Sequence, residues 1–247
     1  MKVNARLIQR LLPFLSLAIL FVALSIASPY FLTANNLASV ARQTAVFNTM
    51  ALGMTIVIVA GGIDLSVGSI LGLSGLVGTM ALEAGYPIFL GVLIGIAVGT
   101  VCGFLNGLMI TRLRINAFIV TLGTLGIYRG VALIISNGLP VHRIPPGFAF
   151  LGEGNLLGVP FVVWLLVLCA VATHFVLENT RLGRYAFAIG SNPVAAVYAG
   201  IPVAFHTAAV YAIGGALTGL AGMIEASRLM TGQPTAGLGY ELQAIAA

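Results

Sequence analysis

The chain has 247 residues, 60% of them apolar and 7% charged, and its 11 basic against 6 acidic side chains give a formal charge of +5. A soluble domain carries about 25% charged residues, and a water-facing globule of this size cannot hide so much apolar surface. A soluble enzyme, a nucleic-acid binder and a disordered tail are excluded. The basic excess marks the ends of membrane spans.

Uncharged runs cover residues 11–41, 43–63, 84–111, 154–177 and 185–224, each longer than the roughly 18 residues that mark a membrane-span candidate. The fold class this predicts is an all-α polytopic membrane helical bundle with about seven spans. In chain order, Lys2, Arg6 and Arg10 precede a first apolar run from Leu11 to Phe31. Ser25-Ile26-Ala27 resembles a signal cleavage site, but the run is long for a signal core and more spans follow, so an uncleaved helix is expected. Further spans are expected at 43–61, 65–83, 87–111, 115–136, 159–177 and 205–228.

With a cytoplasmic N-terminus, Lys2, Arg6, Arg10, Arg112, Arg114, Arg181 and Arg184 lie inside, while Arg42, Arg143 and Arg228 lie outside. That distribution satisfies the positive-inside rule, and the opposite orientation inverts it. Residues 137–158 are rich in Gly and Pro and read as an external loop. Residues 178–204 form the longest internal segment, and 1–247 read as a single transmembrane domain. The chain stops at Ile245-Ala246-Ala247 in apolar sequence, which reads as a truncated end.

Glycine numbers 31, well above the usual share of about 7%. Gly91, Gly95, Gly99, Gly103 and Gly107 recur every four residues, a stripe that winds gently and lets helix backbones approach closely in lipid. Gly68/Gly72, Gly126/Gly130 and Gly215/Gly219 repeat the spacing, so helix packing is the expected role. Between the second and third spans, Gly61-Gly62-Ile63-Asp64-Leu65-Ser66 interrupts apolar sequence. Two glycines end a helix, and Asp64 or Ser66 can cap the next. Two readings stay open, a tight cytoplasmic-side turn capped by Asp64 or a discontinuous helix beside a transport pathway.

Asn48, Asn106, Thr121, Thr124 and Arg129 are polar groups inside apolar runs, so they are expected to turn inward toward the bundle or an aqueous path. Gly61, Gly62, Asp64, Ser66, Asn106, Thr121 and Thr124 form the candidate pathway or broken-helix set. Arg129 is close enough to the outer end of its span to snorkel, and Glu225 is spaced to pair with Arg228.

Gly72-Leu73-Ser74-Gly75 resembles the nucleophile motif of rhomboid proteases. The nominal bases, His174 and His206, fall near span ends, so no catalytic residue is assigned. The histidines and acids lack metal-ligand spacing, and Cys102 and Cys169 sit within apolar runs. No metal, cofactor or disulfide is expected. Lys2 is the only lysine, so no phosphate-loop Lys is present and any ATP must bind a separate subunit.

In the internal segment, Asn192 suits an N-cap, Pro193 the first helical position and Gly200 the stop. The predicted helix, 193–199, displays Val194, Ala195, Ala196, Val197, Tyr198 and Ala199 without charge. Pro202 bars smooth continuation into the last span. A short apolar helix on the cytoplasmic face should bury against a partner or lie at the interface.

Four blocks, GGIDLSVGSILGLSG (61–75), NGLMITRLRINAFIVTLGTLGIYRG (106–130), GRYAFAIGSNPVAAVYAGI (183–201) and QPTAGLGYELQAIAA (233–247), resemble permease subunits of bacterial ABC importers for ribose, xylose, galactose and related sugars. The resemblance implies a multi-pass protein of the bacterial cytoplasmic (inner) membrane, without an ATP site of its own. It would import a monosaccharide by alternating access. Its implied partners are an ATP-binding cassette ATPase, a second permease subunit (the same or a close homologue), and a periplasmic or lipid-anchored sugar-binding protein. No nucleic acid is implied. By the same resemblance, residues 192–200 fall where a coupling helix enters the ATPase. Family members usually continue with about three more helices, and Gln243 stands where an acidic residue is common. The alternatives are an ion-coupled carrier or pore acting without an ATPase, and an ABC permease for branched-chain amino acids.

Overall fold

The computed structural model describes residues 5–246 and is built almost wholly from helices. They are α1 Ala5–Ala27, α2 Ala34–Val59, α3 Val67–Glu83, α4 Ile88–Arg112, α5 Ala117–Ile135, α6 Ala149–Glu153, α7 Phe161–Asn179, α8 Arg181–Ser191, α9 Pro193–Tyr198, α10 Val203–Leu229 and α11 Tyr240–Ala246. A hairpin of β1 (Asn155–Leu156) and β2 (Val159–Pro160) follows α6. Lys2 and the side chains of Arg6 and Arg10 lie outside the described residues.

Each predicted span overlaps a helix, but α1 ends at Ala27 rather than at residue 31 and α2 begins at Ala34, nine residues before the predicted start at 43. Five of them, α2, α4, α5, α7 and α10, are long and apolar enough to cross a membrane, while Phe14–Ala27 of α1 and the whole of α3 are apolar but shorter. The protein is an all-α polytopic membrane bundle.

Residues up to Ala41 make one compact unit and those from Arg42 another. In the first, Thr33 Oγ1 accepts the Asn36 N–H at 3.4 Å and the Asn36 side chain donates to the Phe31 carbonyl at 2.8 Å, fixing the start of α2. Phe21 and Phe31 meet edge to face at 5.2 Å.

In the second unit, α3, α4 and α10 form a tightly packed trio with α5 against α3. Glycine makes this possible. A Cβ on Gly91 would strike the Leu82 side chain, and one on Gly95 would strike Met223. One on Gly99 would hit Gly215 and Gly219, one on Gly103 would hit the Tyr211 carbonyl, and one on Gly107 would lie 2.6 Å from the Ala208 Cα. The stripe thus runs from α3 to α10 as it winds around α4. Lipid tails are as apolar as the helices, so this contact rests on dispersion and close backbone approach. Gly215 and Gly219 return the contact, and Gly68 and Gly72 pack against Gly237 and Ala236. Gly126 and Gly130 do not follow the expectation: a Cβ on either meets nothing within 4 Å, because α5 turns that face away from the trio. Asn48 also departs from the inward reading and is exposed.

The two ends of the bundle differ. At one, residues 137–158 fold further than an open loop, carrying a 3-10 turn at Pro146–Phe148, then α6 and the hairpin. Ser227 Oγ pins them, donating to the Phe148 carbonyl at 2.5 Å and accepting from the Gly152 N–H at 2.8 Å. Val141 bridges Gly232, and Arg42 pairs with Glu153 at 3.4 Å. The other end gathers α8, α9 and the termini of α2 to α5 and α10. The internal segment 178–204 therefore holds two helices, where the sequence signals expected one.

Candidate functional site

The interruption at 61–66 is built from a helix stop, a turn and a helix start. The Gly62 N–H reaches back to the Val57 carbonyl at 3.0 Å and Gly61 to Ile58 at 2.9 Å, closing α2. Gly61 takes φ +79°, a conformation that strains a residue with a Cβ. Asp64 then accepts the Ser66 N–H at 2.8 Å and the Ser66 hydroxyl at 2.6 Å, both on Oδ1. Ser66 is the N-cap residue of α3 by position, yet its side chain makes no capping bond. Its hydroxyl is turned to Asp64 instead.

This turn is the centre of a buried polar node. Asn106 of α4 donates to Ser66 Oγ at 2.8 Å and to Asp64 Oδ2 at 3.4 Å. The Tyr128 hydroxyl of α5 lies 3.0 Å from Asn106 Oδ1 and 2.9 Å from the Cys102 carbonyl. Its single proton serves one acceptor at a time. Tyr211 of α10 donates to the Ile63 carbonyl at 3.2 Å, and the Thr121 hydroxyl of α5 lies 3.3 Å from the same carbonyl and 2.9 Å from that of Ala117. Asp64 is 2% exposed and meets no cation among the described residues, so neutral donors alone stabilise the carboxyl. Asn106 stands six residues before the end of α4 and Tyr128 eleven residues into α5. At about 1.5 Å per residue, the node sits roughly 9–16 Å inside those helix ends.

Of the predicted pathway set, Asp64, Ser66, Asn106 and Thr121 come together with the Gly61-Gly62 turn beneath them. Thr124 is buried one turn along α5 and bonds to the Thr121 carbonyl at 3.3 Å, outside the node. Tyr128 and Tyr211 belong to the node and were not singled out by sequence. In apolar runs a tyrosine reads as packing, and only the register between helices shows what its hydroxyl meets.

Arg129 does not snorkel. It donates to the carbonyls of Pro234 at 2.6 Å, Ala236 at 2.7 Å and Gly68 at 3.3 Å, clamping the turns before α11 onto the start of α3. Glu225 and Arg228 form the expected pair at 3.0 Å, and the Tyr240 hydroxyl donates to Glu225 at 3.3 Å. Ser74 is fully buried and its hydroxyl has no hydrogen-bond partner among the described residues, while His206 Nδ1 lies 3.0 Å from the Pro202 carbonyl. Neither nominal base of the protease-like reading, His174 or His206, is hydrogen-bonded to the Ser74 hydroxyl.

In the internal segment, Asn192 accepts the Ala195 N–H at 2.9 Å, Pro193 opens α9 and Gly200 closes it at φ +77°. The helix ends at Tyr198 with Ala199 as its cap residue, one residue short of the predicted 193–199. Ala196 faces inward, whereas Val194, Val197 and Tyr198 are exposed, Tyr198 to 88%. An apolar, uncharged helix face thus stands free at this end. Beside it opens a cavity of about 950 Å³ walled by Phe104, Leu108, Val197 and Phe205, with Arg112 and Arg114 among its lining residues.

The sequence profile of the family described as "Branched-chain amino acid transport system / permease component" matches residues 36–247. The chain is 42% identical to a ribose import permease of Bacillus subtilis over 97% of its own length and 75% of the relative's. It is 38% identical to the ribose import permease of Haemophilus influenzae, covering 95% and 74%. Against the D-allose transport system permease of Escherichia coli the identity is 38%, covering 94% and 72%. No solved structure matches the chain.

Proposed function

The chain belongs to the family of transport-system permease components, and from that premise we propose that it is the membrane-spanning subunit of an ABC importer for a monosaccharide. The observation that carries this reading is the relatives' identity of 37–42% across nearly all of the chain, under names that specify ribose, allose and arabinose import. Those names favour a sugar over the branched-chain amino acid of the family description.

In this reading residues 1–247 act as one permease domain of the bacterial inner membrane, with the N-terminus cytoplasmic. The protein makes and breaks no covalent bond. A partner ATPase binds ATP, since the only lysine, Lys2, belongs to no phosphate loop. That ATPase docks on α9 over residues Asn192 to Gly200, a role supported by the capped, charge-free and exposed helix. A binding protein delivers sugar at the opposite end, and a second permease subunit completes the pathway. Gly61, Gly62, Asp64, Ser66, Asn106, Thr121 and Thr124 flank that pathway as a break in the membrane helices. Alternating access then follows from the two arrangements that ATP binding selects between.

The test is uptake by the complete transporter in liposomes, using labelled ribose, allose and arabinose. Uptake of at least one of these that requires both ATP and the ATPase supports the reading. Uptake that persists without either one sinks it in favour of a carrier or pore.

A further inference from the structure

We propose that Gly61, Gly190 and Tyr211 form a joint that carries displacement of α9 to the Asp64 node, which makes them positioning residues for transport. The inference rests on the importer reading above and adds the route by which the docking helix acts on the bundle.

Between α8 and α9 stands one residue, Asn192. Its N–H bonds the Ala188 carbonyl at 3.1 Å and its side chain caps α9. A push on α9 therefore moves α8. The inner face of α8, formed by Gly183, Ala186 and Ile189, is buried. Ala186 shares one core cluster with Ile56 and Val57 of α2 and with Val210 and Tyr211 of α10.

The contact at Gly190 is backbone on backbone. A Cβ there would collide with the Val59 carbonyl and lie 3.0 Å from the Gly61 nitrogen. A Cβ on Gly61 would lie 3.2 Å from the Gly190 Cα. No flexible side chain intervenes to absorb a displacement, and close-packed interiors transmit strain. Beyond Gly61, a Cβ on Gly62 would strike the Tyr211 hydroxyl. That hydroxyl holds the Ile63 carbonyl, and Asp64 with its bonds to Ser66 and Asn106 comes next. The route from α9 to the node is thus an unbroken chain of contacts, the kind of physical network that can carry coupling.

Sugar moved per ATP hydrolysed, measured in liposomes holding the complete transporter, tests the joint through Gly190→Ala and Tyr211→Phe. A purely structural role lowers the yield of complex but leaves this ratio alone. We expect the ratio to fall by about two- to thirtyfold in both variants, as interrupted coupling allows, while the ATPase co-purifies at its normal stoichiometry. Should Gly190→Ala fail to assemble, Tyr211→Phe decides alone, because it removes a single hydroxyl. A wild-type ratio in Tyr211→Phe, alone or with Gly190→Ala, overturns the joint and leaves the importer reading standing. A wild-type complex that moves none of the three sugars with ATP overturns both.

Discussion

Asp64 shows what a buried carboxyl requires in a chain with so few charges. Its oxygens take two bonds from Ser66 and a longer one from Asn106, and none from a cation among the described residues. Removing it leaves the Ser66 N–H and the Asn106 amide short of acceptors at the start of α3. Each stranded buried donor costs about 1–3 kcal/mol. With two donors stranded, Asp64→Ala is therefore expected to destabilise the protein by about 2–6 kcal/mol. Tyr128→Phe removes a single hydroxyl donor that serves either Asn106 Oδ1 or the Cys102 carbonyl, and membrane-embedded side-chain bonds average about 0.6 kcal/mol. Its expected cost is below about 1 kcal/mol. Unfolding titrations in detergent rank the two, and equal losses would show that the node is not organised around Asp64.

At the scale of elements, the glycines of α4 and α5 have similar spacing and opposite surroundings. Gly103 faces the Tyr211 carbonyl and the Gly215 Cα, whereas Gly130 faces open space. Gly103→Ala must push two helix backbones apart, an overpacking cost of about 1–3 kcal/mol. Gly130→Ala has room for its methyl and gains helix propensity of up to about 1 kcal/mol. Thermal unfolding of the purified subunit should separate them by several degrees in opposite directions, and a shared sign would contradict this packing. The spacing alone could not distinguish these helices, since a four-residue repeat does not say what stands opposite. Signals confined to a few neighbouring residues were legible. Asn192, Pro193 and Gly200 marked both ends of α9 to within a residue. Contacts distant in sequence were not. Arg129 looked free to reach the outer surface because the carbonyls of Pro234 and Ala236 that hold it lie more than 100 residues away. The helix α8 was missed because its buried face is Gly183, Ala186 and Ile189, two of them small, and its first four residues carry both Arg181 and Arg184.

Over the whole molecule, the two ends of the bundle are chemically distinct, and the charge distribution predicts a side for each. The end with α6 and the hairpin carries Arg42, Arg143 and Arg228, and the end with α8 and α9 carries Arg112, Arg114, Arg181 and Arg184. Arginine and lysine accumulate on cytoplasmic loops, so α9 is expected inside and the hairpin turn outside. Leu157 in that turn and Tyr198 on α9 are exposed to 86% and 88%, which makes them suitable reporters. In a background with Cys102 and Cys169 replaced by Ala, Leu157→Cys should react with an impermeant maleimide added to intact cells. Tyr198→Cys should react only in inverted vesicles. The opposite pattern would reverse the orientation and remove α9 from the reach of a cytoplasmic ATPase. The same reporter tests docking: adding the ATPase subunit to the vesicles should slow labelling of Tyr198→Cys, because an apolar helix face pressed into a cleft is closed to reagent. Undiminished labelling with the ATPase bound would place the docking surface elsewhere and leave the exposed face of α9 to the membrane interface.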